Sequence, residues 1–165
     1  MAQTALRGNP VQTVGDLPAV GSPVPSFTVT GNNLADVTAA DFAGKNLVLN
    51  IFPSIDTPTC ATSVRTFNQR AADLGDTVVL CVSADLPFAQ NRFCGAEGIE
   101  NVKTGSTFRG NFGEQFGVTL AEGPMAGLMA RAVVVVDANG NVVHSQLVPE
   151  IAQEPDYDAA IAALG

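Results

Sequence analysis

Two strongly apolar runs, "LVLNIFP" at 47–53 and "TVVLCVSA" at 77–84, constrain this chain more than any other feature. Each has the length of a strand and too few polar residues for a sheet with one wet face, so each demands cover on both sides. Between them Val64, Phe67, Ala71 and Leu74 recur at steps of three and four, with Arg65, Asn68, Gln69 and Arg70 interspersed. That is the pattern of an amphipathic helix, which Gly75 would stop. A helix between two buried strands makes the chain an α/β protein.

The remaining segments are shorter. "FTVTG" at 27–31 reads as a strand, and Thr38 to Asp41 before Phe42 as a short capped helix closed by Gly44. In "DLPFAQNRFC", Asp85 is a candidate cap, Pro87 suits a first turn and Gly95 would end the helix. The stretch 98–131 is Gly-rich and aperiodic, with a strand near 101–103 and a helical turn near 111–116 as its only readable elements. "AVVVVDANGNVVHSQLV" at 132–148 is a hairpin whose five-residue turn tolerates positive φ, and "PDYDAAIAALG" at 155–165 is a helix with acids in its first turn. A first hairpin turns at Arg7–Pro10, followed by the connector "LPAVGSPVPS". Without that hairpin the order β-α-β-α-β-β-α resembles a thioredoxin-like fold, a mixed central sheet flanked by helices. Residues 1–165 read as one domain, with 1–16 as a hairpin extension.

Sixteen acidic against eight basic residues give a net charge of −8, which repels phosphate backbones and anionic lipid, so neither nucleic acid nor a membrane is an expected partner. No segment approaches the about 20 apolar residues of a membrane span, and the first residues do not form an export signal. The expectation is a cytoplasmic protein. There the three cysteines would not build a disulfide framework, and any disulfide would be transient. With His144 as the sole histidine there is no cluster of zinc-ligand spacing and no imidazole for a Cys-His or Ser-His pair, so no metal is expected.

The chemistry concentrates at "FPSIDTPTC", 52–60. With Thr57 as N-cap, Pro58 takes the first helical position, where its missing N–H costs little, and Cys60 the third. A sulfur in the first turn meets unpaired backbone N–H groups and the positive end of the helix dipole, which favour thiolate over thiol. Cys60 is also in register with the apolar stripe that Val64 continues. On position alone it reads equally well as a nucleophile or as a small side chain packed beneath the helix. Redox proteins of thioredoxin-like fold carry Cys-x-x-Cys at such a junction; here a hydroxyl, Thr57, stands where the first sulfur would be.

Pro53-x-x-x-Thr57-x-x-Cys60 matches the Pro-x-x-x-Thr/Ser-x-x-Cys signature of the peroxiredoxins. Together with "SADLPFAQNRFC", the Gly-rich "GPMAGLMARAVVVVD" and the ending "LVPEIAQEPDYDAAIAAL", the chain resembles the bacterial thiol peroxidase subfamily, the atypical two-cysteine kind, over nearly its whole length. The resemblance implies a thiol-dependent peroxidase of antioxidant defence that reduces hydrogen peroxide and organic hydroperoxides. It would need no cofactor, be re-reduced by thioredoxin and form a homodimer. It implies Cys60 as peroxidatic cysteine, Thr57 bonded to peroxide and sulfur, Pro53 as a shield from water, Arg131 as the arginine that holds the thiolate and polarises the O–O bond, and Cys94 as resolving cysteine in a Cys60–Cys94 disulfide. Separate helices would bring those two within the about 7 Å between Cα atoms that a disulfide requires only after local unfolding. Met125, Leu128 and Met129 would border the site.

Each role has a plainer counterpart: Arg131 as a solubilising residue at a strand end, Cys94 as a core residue beside Phe93. Cys81, within an apolar strand, reads as a buried hydrophobe, and His144 as a surface residue. Two other functions fit the same fold, a thiol-disulfide exchanger and a non-enzymatic redox sensor. The exchanger is disfavoured because Thr57 replaces the local second sulfur.

Overall fold

The computed structural model describes residues 1–164. A two-stranded hairpin, β1 (Gln3–Leu6) and β2 (Asn9–Gln12), precedes a seven-stranded sheet. Its strands are β3 (Thr28–Thr30), β4 (Asp36–Thr38), β5 (Asn46–Ile51), β6 (Thr77–Ser83), β7 (Lys103–Ser106), β8 (Ala132–Val136) and β9 (Val142–Leu147), in the spatial order β4-β3-β7-β6-β5-β8-β9. The central β5, β6 and β7 run parallel; β8 pairs antiparallel with β5, and β9 with β8. The helices are α1 (Pro58–Ala71), α2 (Pro87–Glu97), α3 (Phe112–Gln115) and α4 (Tyr157–Ala162), with a 3-10 turn at Ala39–Phe42. This is the thioredoxin-like α/β arrangement expected from the sequence, with the added hairpin in front.

Both faces of the central strands are covered, as their composition requires. Leu47, Leu49 and Ile51 of β5 join Leu80, Val82, Val134, Phe112 and Phe116 in one core; the alternate residues Val48 and Phe52 join Val79, Cys81, Val133, Val135 and the inner face of α1 in the other. Period-two alternation divides one strand between two cores. Cys60, Val64 and Phe67 carry α1 onto the second core, where Phe67 meets Tyr157 of α4 edge-to-face at 5.1 Å between ring centroids.

Boundaries depart from expectation where a competing contact takes over. Helix α1 ends at Ala71, not at Gly75, because Asp73 and Leu74 already donate to Arg70 and Ala71 in tighter turns. Helix α2 continues through Gly95 to Glu97 and stops at Gly98, whose φ of +65° is the left-handed C-cap conformation that glycine tolerates. Asp85 does not cap α2; Leu86 occupies that position without a side-chain bond. The strand expected near 101–103 lies at Lys103–Ser106, and β4, three residues long, is too short to show a period in the sequence. In the first hairpin Arg7 and Gly8, at φ +52° and +82°, make a two-residue turn, and Asn9 and Pro10 belong to β2. Of the expected closing helix, Gly165 lies outside the described residues. His144, expected at the surface, lies half-covered on the edge strand β9: it pairs with Val135, its Nε2 is buried with no partner among the described residues, and burial pulls its pKa down against the opposing pull of Asp156.

Phe67 is fully buried and locks α1 to α4. Phe67→Ala is expected to destabilise the fold by about 3–5 kcal/mol, read as a lowered urea midpoint with an unchanged slope.

Candidate active site

The site is assembled where β5 gives way to α1. Beyond Ile51 the chain leaves the sheet, Phe52 still donating to Val82 O, and passes through the buried Pro53 into a tight turn at 54–57. Thr57 is the N-cap of α1 by backbone conformation (φ −93°, ψ 146°) and Pro58 opens the helix, as expected. The Thr57 hydroxyl, however, donates to Ser54 O at 2.9 Å and not to the sulfur. Cys60 sits in the first turn with no exposed surface.

Arg131, immediately before β8, is 1% exposed, which rules out the solubilising alternative. Its Nη2 donates to Cys60 Sγ at 3.1 Å, and its Nε donates to Ile151 O at 2.8 Å. Its third nitrogen, Nη1, is buried and has no acceptor among the described residues. An ion is expensive to bury unless it is bonded, and this one is held through two of its nitrogens while the third is left as a donor facing the interior. The acceptor Ile151 belongs to a segment closed over the helix end, where Thr59 Oγ1 donates to Ala152 O at 3.1 Å. Nothing in the sequence linked Ile151 to Arg131.

The N-terminal hairpin supports that segment. Glu150 accepts from the backbone N–H groups of Arg7 and Gly8, Thr4 Oγ1 donates to Val148 O, and Ile151 N donates to Ala5 O. The bonds from Gly8 and Arg7 hold the Glu150 carboxyl below its ordinary pKa. Met125 packs into the cluster containing Val11, Leu120 and Ile151, whereas Met129 belongs to the core on the opposite face of the sheet. Those methionines do not form one apolar border.

Of the five residues singled out from the sequence, then, Cys60 and Arg131 touch, Pro53 and Thr57 shape the loop before them, and Cys94 stands apart on α2. Cys94 is half-buried, packed on the same core as Cys60, and burial pushes its pKa up. Gly95 follows it inside the helix, where a glycine costs about 1 kcal/mol relative to alanine. Cys81 is fully buried, and desolvation raises its pKa to about 12 against the weaker opposing effect of the Asn50 amide, 3.7 Å from its sulfur. Asn50 also donates to Ser63 Oγ at 3.2 Å, and Ser63 donates to Cys60 O at 2.8 Å, so a buried polar chain runs from β5 to the first turn of α1. The lone Asn in the apolar run was the available signal for it.

Residues 19–161 match the redoxin family. The chain belongs to the redoxin family. It is 67% identical over all of its 165 residues to the thiol peroxidases of Mycobacterium tuberculosis and Mycobacterium bovis, covering 99% of each. This places it among the thiol peroxidases, oxidoreductases of the peroxiredoxin kind. The crystal structure of a peroxiredoxin-like protein from Aquifex aeolicus superimposes with a TM-score of 0.94 at 39% identity, over 99% of this chain and 96% of that one. A thiol peroxidase from Chromobacterium violaceum shares the fold with a TM-score of 0.89 at 23% identity, over 98% and 94%. Among the described residues no helix is long and apolar enough to cross a membrane.

Cys81 generates a pH dependence whose sign is fixed by its burial. The unfolded chain loses that proton near ~8.5 while the folded protein keeps it to about 12, so between those values the folded state binds more protons and stability falls as pH rises. The urea midpoint is expected to decline from pH 8 to 10, with Cys81 contributing at most about 1.4 kcal/mol per pH unit, and Cys81→Ala to flatten the decline.

Proposed function

We propose that this thiol peroxidase reduces hydroperoxides through Cys60, with Cys94 resolving the oxidised sulfur and a dithiol protein of the thioredoxin type restoring both. The observation that carries the reading is the Arg131 guanidinium, donating at 3.1 Å to Cys60 Sγ while its buried Nη1 has no partner among the described residues.

In the first step the Cys60 thiolate attacks the terminal oxygen of ROOH. The O–O bond breaks, an S–O bond forms, and a proton reaches the departing alkoxide, giving Cys60 sulfenic acid and ROH. Ionisation of a thiol at neutral pH raises its thiolate fraction by at most ~30-fold, about 2 kcal/mol, and a more acidic thiol is a weaker nucleophile. The larger part of the acceleration must therefore come from donors aimed at the oxygens as their bond breaks. Arg131 supplies such donors at fixed geometry, held by Ile151 O. The Thr57 hydroxyl would have to turn from Ser54 O to join them. The sulfur has no exposed surface, so admission of substrate requires movement of the surrounding loops, and the Ile151–Ala152 segment, bonded to both Arg131 and Thr59, is the one that closes the helix end.

In the second step the Cys94 thiol displaces water from the sulfenic acid, forming the Cys60–Cys94 disulfide and sparing the sulfur from sulfinic acid. A dithiol reductant then gives up two electrons and two protons by exchange. The loop, α1 and α2 must open for the second step, and the interior Gly95 lowers the cost of opening next to Cys94. The same covalent intermediate predicts ping-pong kinetics.

The deciding assay is hydroperoxide-dependent oxidation of NADPH through thioredoxin and its reductase. Steady turnover supports the reading, insulin reduction without peroxide turnover would assign a disulfide exchanger, and a single oxidation without cycling a sensor. Cys60→Ser is expected to abolish turnover, Cys94→Ser to leave one oxidation event, and Cys81→Ser to keep most activity. Arg131→Gln is expected to lower the rate of peroxide reduction by about 10²–10³-fold.

A further inference from the structure

The carboxylate of Asp85 accepts three hydrogen bonds close to the site. Its Oδ1 accepts from Ser54 Oγ at 2.8 Å; its Oδ2 accepts from Ile55 N at 2.7 Å and from Ser83 Oγ at 2.6 Å. The backbone carbonyl of the same residue accepts from Ser106 Oγ. Asp85 lies between β6 and α2, one residue before the N-cap Leu86, and its side chain reaches across to the loop of Cys60.

The contacts continue in both directions. On the Cys60 side Ser54 O accepts from both the backbone and the hydroxyl of Thr57, and Ser54 Oγ accepts from Asp56 N, so the residue gripped by Asp85 is the one that shapes the start of α1. On the Cys94 side Ser83 Oγ accepts from Gln90 Nε2 at 3.0 Å. Gln90 also donates to Gly105 O, is 1% exposed, and precedes Cys94 by one helical turn. One carboxylate thus joins the N-terminal end of the Cys60 helix to the face of the helix bearing Cys94.

We propose that Asp85 is a positioning residue and latch: with Ser54, Ser83 and Gln90 it holds the two cysteine-bearing segments in the geometry that reacts with peroxide, and its release precedes disulfide formation. The proposal rests on the roles given above to Cys60 and Cys94. Its signature is a pair of opposite effects. Loosening the latch misplaces Cys60 relative to Arg131 and slows oxidation by peroxide, but it also removes contacts that must break before Cys94 can reach the sulfenic acid, and so speeds resolution.

The chain has no tryptophan, so the two steps are best followed by quenched flow, trapping sulfenic acid with dimedone and counting sulfenic acid and disulfide by mass spectrometry. The full-length protein is used, well below its unfolding midpoint, where a merely structural role alters neither rate. Asp85→Ala is expected to lower the oxidation rate constant of Cys60 by about 10- to 100-fold and to raise the rate of Cys60–Cys94 disulfide formation. Asp85→Asn is nearly isosteric: its carbonyl can accept from Ile55 and Ser83, and its amide can donate to Ser54 Oγ. It is expected to restore both rates to near wild type. Should Asp85→Ala not fold, Ser54→Ala removes one arm of the latch and is expected to show the same opposed changes in smaller measure. Wild-type rates for both steps in whichever alanine variant folds, or two rates that fall together, would overturn the latch. Failure of the underlying assignment is distinguishable, because wild type itself would then form no sulfenic acid at Cys60.

Discussion

The buried contact between the Arg131 guanidinium and the Cys60 sulfur is the interaction on which this molecule is organised. A guanidinium at 1% exposure carries a large desolvation cost, which its bonds to Ile151 O and Cys60 Sγ offset. The fold thus keeps in its interior a cation whose Nη1 has no acceptor among the described residues and can donate to an oxygen brought alongside.

Holding that pair in place involves parts of the chain far apart in sequence. Antiparallel pairing of β8 with β5 sets Ala132 opposite Ile51, so Arg131 emerges beside the point at which the chain turns toward Cys60. The segment from Val148 to Ala152 closes the helix end and is itself pinned by the N-terminal hairpin through Glu150, Thr4 and Ala5. The hairpin thus acts on the site through one intermediate layer.

On the proposed mechanism, rigidity for the first chemical step and release for the second place opposing demands on the same residues. Dry packing of Cys60, Val64 and Phe67 secures α1, whereas α2 carries an internal glycine, a half-buried Cys94 and surface pairings such as Arg65–Glu97 that are worth little in water. Stability is distributed so that α2 is the less securely held of the two helices. The polar links between them, through Asp85 and Gln90, exchange readily for water, as hydrophobic contacts do not.

Some of this was legible from residue order alone. The runs at 47–53 and 77–84 have the length and composition of buried strands, the apolar stripe between them has helical spacing, and Pro58 with Thr57 marks the start of that helix and hence Cys60, because these are local consequences of periodicity and backbone sterics. Helix ends were less legible: Gly95 looked like a terminator, but the contacts of α2 carried the helix on to Gly98. Asp85 looked like a cap for the same reason that it is not one, since a carboxylate before Pro87 suits that role until three donors arrive from elsewhere. Tertiary structure alone decided that Arg131 is buried, that Ile151 accepts from it, that His144 is half-covered at a sheet edge, and that one aspartate joins two helices. Those are pairings between residues distant along the chain, and distance along the chain says nothing about which donor meets which acceptor until the sheet has set their positions.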